Sequence, residues 1–306
     1  MHKDQLPSDF VYCPVDDLPP QNVHGDNQTK IEFRLYLKGN KDHYILLDEN
    51  AMAVHKHQKV YSIKNTPLKI ITHGWKSSVE DRSVVLIKDA YLETDNVNVI
   101  SFDWSSIADT YYCVAAFLAN FVAEIMALFL EALHLKHGVR GKDMHLIGHS
   151  LGAHVVGMAA SQTSFAISRV TGLDPAAPLF EWPFLLPPSL RIDSSSADFV
   201  DIIHSCGELM GFAGPLGHED FFPNSGMFPQ PGCEDEDFYT SASCSHARAY
   251  EYFTDTIYDG TVYPSWNCES WEAFLDGKCT NINYMGERAV HALTGNYYLF
   301  ISYTSK

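Results

Sequence analysis

Residues 143–160 read DMHLIGHSLGAHVVGMAA, and the reading of the whole chain turns on them. Met144, Leu146 and Ile147 form a strand-like run, while Ala153, Val155, Val156, Gly157, Ala159 and Ala160 make a helical run of small residues. Between them, Gly148-His149-Ser150-Leu151-Gly152 fits G-x-S-x-G, the signature of a nucleophile elbow. A serine in so sharp a strand-to-helix turn requires a strained backbone, which glycine neighbours accommodate without side-chain clashes. Its hydroxyl then stands above the sheet, and the amino end of the next helix faces any negative charge developing there. The flanks, more than the five residues themselves, predict Ser150 as a nucleophile.

Outward from the elbow, strand-like runs recur at 32–37, 44–47, 68–72, 97–102, 143–148, 169–173 and 199–204, with a closing run at 297–303. Helical patterns fall at 79–92, 111–136 and 151–162. Such alternation predicts βαβ units and a mostly parallel sheet covered by helices on both faces. Ligands of such sheets bind beyond the carboxyl ends of the strands. The segment 180–188, FEWPFLLPP, is excluded from helix and central strand by its prolines. Residues 206–244 read as loop, and a last helix is expected to open near His246. No linker composition marks a second domain, so 1–306 is read as one catalytic domain.

A serine hydroxyl needs a base, and the base an orienting carboxylate. Asp174, Asp193, Asp198 and Asp201 follow the elbow. Asp174 stands out because the strand-like 169–173 ends against Pro175, placing its carboxylate at a carboxyl strand end one strand beyond Ser150. His204, His218, His246 and His291 are candidate bases. A cysteine two residues before His246 would pin its loop, whereas His204 ends a strand as structural histidines do. For an oxyanion, the Leu151 amide follows the nucleophile. A second amide, that of Trp75, is presented by the His73-Gly74 turn after 68–72.

The net charge of −17 argues against nucleic acid and against anionic membranes. The apolar stretch from Tyr111 to Leu130 is interrupted by Asn120 and Glu124, which favours a buried helix over a membrane span. The start MHKDQLPSDF has no apolar signal core. Seven cysteines nevertheless point to an oxidising compartment. Cys233 with Cys244 and Cys268 with Cys279 each enclose ten residues and are expected as disulfides. Cys13 with Cys113 is a candidate long-range staple that would leave Cys206 unpaired, although spacing alone fixes no pairing. With the sequon Asn27-Gln28-Thr29, the expectation is a secreted, extracellular protein without its signal.

From Ile70 onward, ITHGW, NVISFDW, GHSLGAH, VTGLDPAAPLF, GHEDFFPN, QPGC and CSHARAYEYF occur in an order that resembles the pancreatic lipase family. The resemblance implies an α/β-hydrolase fold and a triad of Ser150, Asp174 and His246, with Trp75 and Leu151 at the oxyanion positions. It further implies lipid esters, met at a membrane or micelle interface, as substrates, with no cofactor. The chain departs from the family pattern in ending soon after the hydrolase region, without the C-terminal β-sandwich of the digestive lipases, so a colipase partner is not expected. The lid between Cys233 and Cys244 and the facing loop from His204 to Gly217 are short, as in phospholipases A1. Where that family binds calcium, Asp193 matches one acidic ligand but Ser196 replaces another, predicting weak or no metal binding.

A short lid leaves the groove open to a polar headgroup. Leu209, Met210, Phe212, Trp182, Phe184 and Leu185, with Phe238 and Tyr239 of the lid, are the candidate acyl contacts. Its four acidic residues, Glu234, Asp235, Glu236 and Asp237, read as a solvated face. The expected activity is phospholipase A1-like ester hydrolysis. A neutral triacylglycerol lipase is the alternative within the mechanism, and a non-catalytic, yolk-type lipid-binding protein the alternative outside it.

Overall fold

Leu146 and Ile147 are neighbours in sequence but face opposite sides of one sheet, each into a separate core. The same split separates Ile70 from Ile71 and Ile202 from Ile203. Alternate strand residues point to opposite faces, so a strand covered on both sides must be apolar throughout. The computed structural model that shows this describes residues 30–53, 63–64, 66–234, 237–258, 260–291 and 294–302.

The strands are β1 (Glu32–Tyr36), β2 (Ile45–Leu47), β3 (Leu68–Thr72), β4 (Asn98–Asp103), β5 (Met144–His149), β6 (Arg169–Leu173), β7 (Phe199–Ile203), β8 (Glu219–Pro223), β9 (Pro264–Asn267), β10 (Ile282–Tyr284) and β11 (Gly295–Leu299). They form an 11-stranded sheet in the order β10-β9-β11-β8-β7-β6-β5-β3-β4-β1-β2. Pairing is parallel from β4 through β3, β5, β6, β7 and β8 to β11, and antiparallel at both margins. The elbow strand β5 therefore lies deep within the sheet, with its carboxyl end beside those of β3 and β6.

Helices α1 (Arg82–Thr94), α2 (Tyr112–His137), α3 (Leu151–Ser161) and α4 (Phe238–Ile257) cover the faces. On one side α2 and α3 contribute Ala119, Met126, Leu130, Val155 and Ala159 to the larger core. On the other, Ile87 and Tyr91 of α1 meet Ala249 and Phe253 of α4. The run from Tyr111 to Leu130 thus lies on the sheet through the inner face of α2, while Phe117, Leu128 and, further along the helix, Leu135 are exposed. By length and composition α2 is also the one described helix apolar enough to cross a membrane. Gly138 ends it in the left-handed region, at φ 68°, where glycine carries no Cβ penalty.

Three expectations are corrected. The loop-like 206–244 contains β8, whose buried Glu219 accepts from Asn283 at 2.8 Å and whose buried Asp220 pairs with His204 at 2.9 Å and accepts the Leu216 and Gly217 amides. The last long helix begins at Phe238 rather than near His246, since the Asp237 carboxylate accepts the Thr240 amide at 2.7 Å and caps it. The closing strand is Gly295–Leu299, set by its parallel register with β8, rather than 297–303. Disulfides join Cys233 to Cys244 and Cys268 to Cys279, and Cys206 is a buried free thiol. Cys13 of the proposed Cys13–Cys113 staple, the sequon at Asn27, and Asp235 and Glu236 lie outside the described residues.

Candidate active site

Ser150 sits between β5 and α3 at φ 58°, ψ −123°, a backbone conformation that costs of order 1–3 kcal/mol in a non-glycine residue. Its amide donates to the Leu173 carbonyl at 3.0 Å, tying the elbow to β6. Gly152 lets α3 start hard against β3, because a Cβ there would lie 2.3 Å from the His73 carbonyl oxygen. Leu151 opens the helix, whose first amides have no intrahelical acceptor. The motif's glycines thus make room for the strain at Ser150.

Asp174, fully buried, follows β6 with φ 44°, and its amide donates to Ile203 of β7 at 2.7 Å. The Oδ1 atom accepts two amides, from Ser205 at 2.6 Å and Cys206 at 3.0 Å. Oδ2 accepts from His246 Nδ1 at 2.5 Å. Gly211 makes room for the carboxylate, since a Cβ there would lie 2.3 Å from Oδ1. Because a carboxylate can only accept, His246 carries its proton on Nδ1 and leaves Nε2 available as a base. His246 itself lies in the third turn of α4, two residues past the Cys233–Cys244 bridge.

The strand end after β3 is held by His73. Its ring donates to the Gly74 carbonyl through Nδ1 at 2.9 Å, while Nε2 lies 3.2 Å from Asp103. Burial raises the Asp103 carboxyl, but the adjacent His73 ring and the hydrogen bonds from Ser105 outweigh it and bring the group down to about 2. Gly74 in turn lies against Ser150, so that a Cβ on it would be 2.7 Å from the serine Cβ. Trp75 follows directly, its indole donating to the Thr110 carbonyl at 2.8 Å.

Ser150, His246, Gly74 and Trp75 line one cavity of about 360 Å³, with Met210 and Tyr239 on its wall. These two are the proposed acyl contacts that the structure brings to the cavity. Leu209 and Phe212 are buried, the latter in the main core. Trp182 and Phe238 are partly buried against the Cys206 cluster, and Phe238 meets Phe228 edge-on. Phe184 and Leu185 project into solvent, 80% and 61% exposed, and do not line the cavity. Composition did not separate these two from the buried candidates.

Lining residues that the sequence reading missed are Lys76, Asp81 and Arg82 after β3, Tyr112 of α2, and His149 and Tyr250. The polar run KSSVEDRS directly after Trp75 was the available signal for the first three. At the calcium-like position, Asp193 accepts the Ser195 amide at 2.8 Å, and the Arg191 guanidinium stands 3.8 Å away. With its carboxylate capping a turn beside a cation, this set does not fit a calcium ion.

A mostly parallel sheet covered by helices on both faces, with a serine in a strained turn between an inner strand and the next helix, defines an α/β-hydrolase fold. The chain belongs to the pancreatic lipase family: the Lipase family model matches residues 16–301. It is 33% identical over 266 residues to pancreatic triacylglycerol lipase of Ictidomys tridecemlineatus, covering 81% of this chain and 56% of that protein. Against the Homo sapiens pancreatic triacylglycerol lipase it is 34% identical over 234 residues, 70% of this chain and 50% of the other. Against pancreatic lipase-related protein 2 of Rattus norvegicus it is 31% identical, at 81% and 56% coverage. The chain thus spans about half the length of these relatives. Among solved structures, Est1E from Butyrivibrio proteoclasticus is similar at a TM-score of 0.33 and 16% identity, over 59% of this chain and 75% of that one.

Proposed function

We propose that the protein is a secreted serine hydrolase of lipid esters, with phospholipase A1-like release of the sn-1 acyl chain. The observation that carries this is that His246, linked to Asp174 at 2.5 Å, opens on the same cavity as the strained Ser150. Ser150 attacks the ester carbonyl and His246 Nε2 takes its proton, while Asp174 fixes the imidazole tautomer. The amides of Trp75 and Leu151 stabilise the oxyanion. His246 returns the proton to the leaving alcohol, then activates water to hydrolyse the acyl-enzyme. Secretion is supported by the two disulfides, which persist in oxidising compartments.

The short bridge from Cys233 to Cys244, with a sequence separation of 11, supports the phospholipid preference because little chain is left to cover a headgroup. A second reading, neutral triacylglycerol hydrolysis, is favoured by the names of the relatives. Assay of sn-1-labelled phosphatidylcholine beside a triolein emulsion separates the two. Release from the sn-1 position is expected, with Ser150→Ala inactive and Ser150 the residue labelled by a serine-directed phosphonate. Cleavage of triolein alone selects the second reading. No hydrolysis of either lipid and no labelling at Ser150 overturns both.

A further inference from the structure

His149 has no part in the mechanism above, yet it touches both sides of it. It ends β5, directly before Ser150, and its Nε2–H donates to the main-chain carbonyl of His246 at 3.1 Å. The two imidazoles lie with ring centroids 4.5 Å apart at 45°. Tyr250, one helical turn beyond His246, meets the His149 ring at 5.1 Å and 88°. A carbonyl has two lone pairs, so this bond adds to the helical one at the same oxygen.

We propose that His149 is a positioning residue for His246, clamping the main chain of the base to the elbow and setting an aromatic ring beside its own. The inference rests on the reading of Ser150 as nucleophile and His246 as base. Asp174 fixes the His246 ring through Nδ1, but a ring held only by one side-chain bond still follows any movement of α4. The His149 bond ties the backbone of that residue to the strand carrying the nucleophile, across 97 positions of sequence. Small displacements of a catalytic group cost disproportionate rate, so this tether acts on turnover more than on substrate binding.

Its neutrality matters equally. Acyl transfer leaves His246 positively charged, and a second cation at 4.5 Å would oppose that charge in a poorly hydrated site. The His149 ring keeps some solvent contact, but loss of hydration and then the neighbouring His246 push it well below the usual histidine range. The other charged or titratable groups bordering this cavity are Lys76, Asp81 and Arg82 from the segment after β3, Tyr112 of α2, and Tyr239 and Tyr250 of α4; Asp174 lies behind His246. The side-chain bond at the His246 carbonyl is the one from His149, beside the helical bond from the Tyr250 amide.

The test uses the full chain, p-nitrophenyl butyrate as a soluble ester, and a fluorophosphonate that modifies Ser150. His149→Phe keeps a ring but loses the donor. Its kcat and its rate of Ser150 modification should both fall about tenfold while KM stays within about twofold. His149→Gln restores a donor and should recover most of the loss. His149→Lys places a cation beside the base and should move the acid limb of kcat/KM down by about one pH unit. Wild-type kcat and labelling in His149→Phe overturn the proposal. So does an unmoved acid limb in folded His149→Lys, which decides the matter even where the Phe variant does not fold. Failure of the wild type to be labelled at Ser150 removes the underlying reading, and this inference with it.

Discussion

Asp174 shows how much one residue carries here. Its two oxygens divide the work: Oδ1 takes two amides and so fixes the carboxylate, while Oδ2 is left for His246. Asp174→Asn keeps the size but presents an amide where the imidazole needs an acceptor. The wrong His246 tautomer is then stabilised, and kcat should fall by about 10⁴ with little change in the melting midpoint. Esterase kinetics beside thermal denaturation check both halves. The residue was legible because a strand-like run breaks at Pro175 immediately after it. His149 was not legible, because its contact depends on a helix placed 97 residues later. The apolar candidates failed for a related reason: composition marks Phe212 and Phe184 alike, and only the chain path buries one and exposes the other.

Among elements, the helix that carries His246 is held at its start by the Asp237 cap and the Cys233–Cys244 bridge. Replacing both cysteines by serine should cost about 2–4 kcal/mol and reduce turnover more than substrate affinity, as read from denaturant unfolding and steady-state kinetics. The cysteine spacing made the bridge legible, but the acidic and small residues of EDEDFYTSAS concealed that the second half of that segment is helix. The turn after β3 makes a second case, with a pH signature. Asp103 is held near 2, below its unfolded value of about 3.9. A depressed carboxylate contributes stability above the unfolded pKa and loses it as pH falls through the folded one. About 2 kcal/mol should therefore disappear between roughly pH 4 and pH 2, and Asp103→Asn should flatten that part of the stability curve.

At the scale of the molecule, the sheet has a polar knot toward the amino ends of its strands, opposite the site. Arg169 of β6 makes paired bonds of 2.8 Å to Asp201 of β7 and also donates to the Gly286 and Glu287 carbonyls. Lys69 of β3 pairs with Glu287 at 2.6 Å and donates to His145 of β5 at 3.1 Å. Lys69, Arg169 and Asp201 are visible in the sequence as isolated charges inside apolar strands. Their joining needed the parallel register, which periodicity alone does not supply. Breaking a buried pair strands the remaining charge, so Asp201→Asn should lower stability by about 3–5 kcal/mol while folded enzyme keeps its kcat. Calorimetry and active-site titration distinguish the two effects.

The free thiol of Cys206 gains a separate meaning from where it lies. Its own amide is one of the two that fix Asp174, and its sulfur is closed over by Leu209, Met210 and Ala242. The cover over that sulfur and the seat of the carboxylate thus share one stretch of backbone. Access of thiol reagents to Cys206 should end as Asp174 is seated. Thiol reactivity during refolding is therefore a clock for assembly of the acid–base pair, readable without any substrate.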